Sequence, residues 1–262
     1  DLLEAAGSIE ALVEKAREWQ LPAMALTDQG NMYGAVEFAK ACKVAGLKAL
    51  IGCELVLAPY SRLDKKKIPG LPSGFPIVLL AKDAEGYRNL SILSSLAHLE
   101  GFYWTPRIDK ELLAKHAQGL ICLSGPHDSL LGHYILQGKR DQLAEELDWF
   151  SSLFREDYYL ELLRHKMSDE QIRADGMDEE EWLKLQHLTA ISEQEIVNQV
   201  LIAEAKARGL SLVATNNSRF IDREDWRAHE ILINIQSGEP CEIWEKDSQG
   251  NPRRGLKIPR GR

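Results

Sequence analysis

Two carboxylates stand where short apolar runs leave room for chemistry. Asp28 closes the run Ala23–Thr27, and Glu54 sits among Ile51, Cys53, Leu55 and Val56. An acidic group in an apolar strand is costly unless it is paired or bound to a cation. For either residue alone, a structural carboxylate bonded to backbone or to an arginine is the competing reading. The stretch around them reads as strand, turn, helix and strand. Gly30 and Asn31 supply turn chemistry, the apolar period becomes helical from Met32, and Gly46 stops that helix. Two parallel strands would bring Asp28 and Glu54 to or near their C-terminal ends, where α/β sheets and barrels build sites.

The elements that must position them repeat along the chain. Short apolar strands are expected at Ala23–Thr27, Lys48–Val56, Phe75–Ala81, Gly119–Ser124, Tyr158–Leu163 and Ser211–Thr215. Helical patterns fall at Tyr33–Ala45, Gly86–Leu99, Asp109–His116, Asp141–Phe154 and Glu179–Arg208, with another over Arg223–Gln236. Ser8 reads as the cap of a first helix. Such alternation predicts parallel strands with right-handed crossovers in an α/β fold of barrel type. Pro59–Gly74 should be a surface loop, Lys166–Glu181 a solvated insertion, and Ser237 onward loop and tail.

If the strands share one polarity, their ends gather a mixed set. It contains Asp28, Gln29, Glu54, the loop Ser124–Asp128, Glu161, Arg164, His165, Asn216, Asn217 and Arg219. As a metal site it is thin. Only Asp28, Glu54, His127, Asp128, Glu161 and His165 are candidate ligands, and no pair has helix-locked HxxxH spacing. His98, His116, His133, His187 and His229 read as packing or surface histidines. The phosphate loop, the dinucleotide-binding glycine pattern and the serine-hydrolase elbow are all absent from the sequence.

Composition bounds the rest. The 262 residues are 44% hydrophobic and 27% charged, enough for one large domain with its own core. No apolar run approaches bilayer length. A net charge of -8 argues against a surface built globally for nucleic acid, although Arg62–Lys67 (RLDKKK) and Arg253–Arg262 are local basic strips. For both, the favoured reading is a solvated loop and a frayed end. The four cysteines show no CxxC spacing; Cys42, Cys53 and Cys122 look like buried free thiols, which points to a reducing, cytoplasmic compartment.

The runs PAMALTDQGNMYGAVEF, GLKALIGCELVLAP, VLLAKDAEGYRNLSILSS, GFYWTPRIDKELL, GLICLSG, DYYLELLRH and LVATNNSRFIDREDWRAHEILINIQSG follow one another in order. Together they resemble the PHP domain of the bacterial replicative DNA polymerase III alpha subunit. The resemblance covers residues 1–244 and leaves 245–262 as a linker or tail toward a polymerase core. It implies a distorted seven-stranded α/β barrel whose first strand is missing from this chain. It also implies a rim of His, Asp, Glu and Cys that binds up to three metals, commonly zinc or manganese, for phosphoester hydrolysis or 3′–5′ proofreading.

This sequence departs from that rim. Asp28 and Glu54 match the family's ligands, and Glu4 stands where the family has Asp. Gln29 replaces a His, Pro126 a Cys, Asn217 an Asp and Arg219 a His. Arg219 could instead pair with Asp28 or Glu54. The expectation is a domain with no cofactor, or zinc or manganese at low occupancy, that serves as a structural and partner-binding module. Its partners would be the remainder of the alpha subunit, a proofreading subunit or clamp-associated factors, and DNA through the parent enzyme. The polymerase carboxylates lie in another domain, so this chain alone would not synthesise DNA. The alternative is an active phosphoesterase or exonuclease in which His127, Asp128, Glu161 or His165 serve as replacement ligands. An open barrel would also expose the edges at Ala23–Thr27 and Ser211–Thr215 to pairing with another chain.

Overall fold

Alternating β-prone runs and amphipathic helices build one mixed sheet with helices against it. The structure is a computed structural model, and it describes residues 5–174, 181–237, 242–246 and 252–256. In chain order the first half runs α1 (Ile9–Glu18), β1 (Ala23–Gln29), α2 (Ala35–Ala45), β2 (Lys48–Leu57), β3 (Phe75–Ala81), α3 (Ala84–Leu99), β4 (Arg107–Ile108) and α4 (Lys110–Lys115). Then follow β5 (Leu120–Leu123), α5 (Leu130–Leu136), α6 (Arg140–Phe154), β6 (Tyr158–Leu162), α7 (Asp169–Ala174), α8 (Glu181–Arg208), β7 (Ser211–Ala214), α9 (Trp226–Ser237), β8 (Glu242–Lys246) and β9 (Pro252–Leu256).

The curled sheet runs β1-β2-β3-β5-β6-β7, with β4 against β2. The six strands expected from the sequence are all present, within two residues at each end. The path ends at β1 and β7, the two edges expected to be open, and β4 brings the strand number to seven among the described residues.

One expectation fails. The strands are not all parallel, because β3 runs antiparallel to both β2 and β5. Parallel neighbours need a long crossover, usually helical. Residues 58–74 contain no helix, so the chain simply turns back. Polarity is restored by β4, which lies parallel to β2 in the register Val56↔Arg107. The remaining pairs, β5–β6 and β6–β7, are parallel. Lys48 N–H meets the Pro22 carbonyl at one end of β1 and β2, and Gly30 N–H meets the Glu54 carbonyl at the other, so these two also run together.

The chain divides into two units. Residues 25–33 and 50–216 form the larger. Its core joins Leu55, Leu57, Phe75 and Leu79 of the sheet to Leu90 and Leu93 of α3, Leu113 of α4 and Tyr158 of β6, all nearly free of solvent. Each such side chain contributes about 1.5–3 kcal/mol. Tyr158 stacks on Phe150 of α6 with ring centroids 5.4 Å apart. Within the expected solvated insertion, α7 forms because Ser168 and Gln171 cap each other, and it buries Ile172.

The smaller unit comprises residues 1–24, 34–49 and 217–262. Ser8 caps α1 by accepting from Ala11 N–H at 3.2 Å, as the sequence indicates. Lys15 pairs with Asp222 at 2.8 Å, and Ala6 N–H reaches the Arg219 carbonyl at 2.7 Å. The loop expected after Ser237 is corrected by an antiparallel ribbon of β8 and β9, with Trp244 opposite Arg254. The β-prone runs Glu242–Lys246 and Pro252–Leu256 are strands that the expected tail overlooked. The strand β8 crosses the expected boundary at 244–245.

Candidate functional site

At the end of β1 the turn is locked from several sides. Asn31 donates to the Gln29 carbonyl at 2.8 Å and accepts from Tyr33 N–H at 3.1 Å. Gly30 takes φ +67°, and its carbonyl accepts the Ser94 hydroxyl at 2.8 Å beside His98 Nε2 at 3.1 Å. This frame fixes Gln29, whose side-chain amide donates to Glu54 Oε1 at 3.0 Å. Asp28 is buried. Cys53, wholly buried beside both carboxylates, has its thiol pushed up to about 12, first by burial and then by the charges of Asp28 and Glu54. It is therefore a protonated thiol at neutral pH.

Across the sheet, the loop after β5 turns at Gly125, with φ +85°. A Cβ there would lie 2.5 Å from the Pro76 carbonyl oxygen and 2.8 Å from Ser129 Cβ, so only glycine fits. Ser124 Oγ accepts from Glu161 N–H at 2.9 Å, joining β5 to β6. Ser129 caps α5. Glu161 pairs in register with Val213, and Thr215, two residues on, shares that face. The Thr215 hydroxyl donates to Glu161 Oε1. Burial pushes the Glu161 carboxyl up; Thr215 and the Gly125 N–H pull it back in part, and Asp128 pushes it further up. Glu161 Oε2 and His127 Nδ1 are buried without a hydrogen-bond partner among the described residues.

His165 is held at both ring nitrogens. Gln194 Oε1 accepts from the His165 backbone N–H at 3.1 Å, which leaves the Gln194 amide nitrogen to donate to Nδ1, also at 3.1 Å. Nε2 therefore carries the proton and donates to Asn216 Oδ1 at 3.0 Å.

The larger unit thus contains Asp28, Gln29, Glu54, Pro126, His127, Asp128, Glu161 and His165. Gln29 pairs with Glu54, and Glu161 feels the charge of Asp128, as two separate contacts. Asn217 and Arg219 belong to the smaller unit, and Glu4 lies outside the described residues. Among the described residues no three His, Cys, Asp or Glu side chains are grouped to hold a metal. Sequence reasoning placed Ser124 in the rim loop but missed Gln194 and Thr215 as groups that fix the rim. Glu161 inside the apolar run YYLELL was the available signal, because a buried carboxylate calls for a donor on the neighbouring strand. Of the other histidines, His116 meets Asn89 at 3.2 Å, and His133 lies 5.2 Å from the Phe75 ring.

The family model described as the PHP domain matches residues 1–165. DNA polymerase III subunit alpha of Chlamydia trachomatis is 46% identical over 97% of this chain and 20% of its own length. The Chlamydia pneumoniae subunit is 45% identical over 100% of this chain and 21% of its own, and the Thermus aquaticus subunit 41% over 90% and 18%. The chain therefore spans about a fifth of the length of these relatives. A solved structure of a candidate metal-dependent phosphoesterase from Bifidobacterium adolescentis aligns with TM-score 0.46 at 12% identity, covering 87% of this chain and 92% of that one. On the family match over residues 1–165, this chain belongs to the PHP domain family.

Proposed function

We propose that this chain works within a bacterial replicative DNA polymerase III alpha subunit as a structural and partner-binding domain that does without the family's metal cluster. One contact carries the reading. Where the resemblance implies an imidazole, the Gln29 amide donates to Glu54 at 3.0 Å and occupies the carboxylate oxygen a cation would need. An amide N–H cannot ligate a dication, nor can the ring of Pro126. To become a replacement ligand through Nδ1, His165 would have to give up the hydrogen bond from the Gln194 amide. The residues present therefore do not fit a cluster of two or three metals. In this reading the partners are the rest of the alpha subunit and replisome proteins such as a proofreading subunit or clamp-associated factors. DNA synthesis belongs to the other domains, and the compartment is the cytoplasm. No helix among the described residues is long and apolar enough to cross a membrane.

Elemental analysis of the purified protein tests this. Zinc, manganese and iron are expected far below one per chain. Stoichiometric metal that is lost in Asp28→Asn/Glu54→Gln would overturn the proposal.

A second reading rests on the partnerless Glu161 Oε2 and His127 Nδ1 near Asp128. These could hold a single ion, which when bound would activate water for phosphodiester hydrolysis, whether as a phosphoesterase or as a 3′–5′ exonuclease. Hydrolysis abolished by chelator and by His127→Ala would favour it, and a preparation with no turnover would exclude it.

A further inference from the structure

The basic strip Arg62–Lys67 takes no part in the rim, and the loop that carries it is firmly built. Arg107, only 2% exposed, donates to the backbone carbonyls of Gly101 (3.1 Å), Ser73 (3.0 Å), Arg62 (3.4 Å) and Asp64 (2.7 Å), with no carboxylate hydrogen-bonded to it. Lys65 donates to the Glu100 and Phe102 carbonyls at 2.5 and 2.7 Å. Arg62 pairs with Glu100 at 2.7 Å and with Asp109 at 3.0 Å. Three cations are thus consumed in shaping the loop. Lys66 and Lys67 remain exposed, with no hydrogen bond or ion pair among the described residues.

These two lysines line a cavity of about 330 Å³ with Tyr60, Tyr103 and Trp104, and Asp64 is its only acidic lining residue. Tyr60 is 69% exposed and Trp104 80%. Trp104 also sits at φ +64°, a left-handed state rare for a bulky residue. Tyr103 N–H on the Thr105 carbonyl at 3.0 Å closes that turn. An indole held in water on a strained turn adds nothing to the core. Arg107 also lines the cavity, its guanidinium 4.9 Å from the Tyr103 ring centre, and adds positive charge to it.

We propose that this cavity binds single-stranded nucleic acid, with one base stacked on Trp104 or Tyr60 and the flanking phosphates on Lys66 and Lys67. Exposed aromatics interleaved with unpaired ammonium groups are the recognition chemistry of a single strand. The cavity has room for one base, so a strand crosses it and contributes phosphates on either side. A free nucleotide carries the same chemistry with fewer charges. An acidic peptide would satisfy the lysines and leave the aromatic rings without a role. None of the lining residues is among the rim residues of the proposed function, so either reading can fail alone.

The test is fluorescence anisotropy of a labelled oligodeoxythymidine titrated with the chain, over a series of salt concentrations. Trp104→Ala is expected to weaken binding about tenfold or more, with Trp104→Phe recovering part of the loss. It should leave the salt slope unchanged. Lys66→Ala/Lys67→Ala should lower the slope of log K against log salt by about 1.4. Lys40→Ala/Lys43→Ala on α2, a charge-matched control, should change neither quantity. Matching thermal melts establish that all variants fold. The proposal is overturned if the parent chain does not bind, if all variants bind alike, or if polyglutamate binds with this variant dependence and the oligonucleotide does not. Thymidine monophosphate competing as well as the oligonucleotide would overturn the strand assignment and give the site to a free nucleotide.

Discussion

Asp109 and Glu161 are almost equally hidden, at 3% and 6% exposure, yet their surroundings push them in opposite directions. Burial raises both. At Asp109 that effect is outweighed by the N–H groups of Arg62 and Leu112, each at 2.9 Å, and by the Arg62 guanidinium, so its carboxyl titrates below the ordinary aspartate range. At Glu161 one hydroxyl and one N–H do not compensate, Asp128 adds repulsion, and the carboxyl titrates high. Burial alone therefore does not tell what a carboxylate is for. The partner does: Asp109 has a cation and is a staple, whereas Glu161 lacks one and sits in a rim built from neutral donors. The staple holds the loop that carries the basic cavity, and Glu161 meets a hydroxyl and an N–H where the staple has a guanidinium.

Removing the staple should produce the largest effect. Asp109→Ala takes the cap from α4 and leaves Arg62, itself mostly buried, with only the half-exposed Glu100. A loss of about 3 kcal/mol is expected in urea denaturation. Asp109→Asn keeps an N-cap acceptor and should recover about 1 kcal/mol. The sign with pH is fixed. Because the folded pKa is depressed, the stabilisation is full above the ordinary aspartate value and disappears as pH falls through the lowered one. The gap between parent and Asp109→Ala should therefore close in acid. A gap that persists there would mean that the lost cap and packing, rather than the charge, set the cost.

Gly125 probes the backbone that carries the rim. Gly125→Ala meets both an unfavourable φ of +85° and the Pro76 carbonyl at 2.5 Å, and should cost about 2–3 kcal/mol. Gly138 has φ +67° with nothing within 4 Å, so Gly138→Ala isolates the dihedral cost at about 1 kcal/mol. Equal losses at the two glycines would show that the rim loop gives way without resistance.

Local rules made much of this molecule legible. The strands were readable because each is a short, β-prone run bounded by turn residues, and the cap at Ser8 because capping is decided within a few residues. The polarity of β3 was not, since nothing inside Phe75–Ala81 records which way its neighbours run; the missing crossover helix in Pro59–Gly74 was the clue. Two-residue β4 is too short to show a period. At the rim, residue types could be read but their partners could not. Gln29 with Glu54, Thr215 with Glu161 and Gln194 with His165 are contacts across 25, 54 and 29 residues, and only the fold brings them together. The same holds for the staple, where Arg62 and Asp109 lie 47 residues apart.

Glu161→Gln should give the smallest effect, and it is the variant that best separates the two readings of the rim. A raised folded pKa means that the unfolded chain ionises first as pH climbs. Stability then falls through the window between the ordinary carboxylate value and the raised one, and stays lowered above it. Glutamine removes that loss. It still offers an oxygen to the Thr215 hydroxyl, and it no longer faces Asp128 as a like charge. The variant should melt a few degrees higher at neutral pH, about 2–4 °C, and level with the parent below the carboxylate range. A cation resting on Glu161 would reverse the sign, because the charged form would then be the one the fold requires. Glu161→Gln would melt lower at neutral pH, and a chelator would lower the parent to meet it.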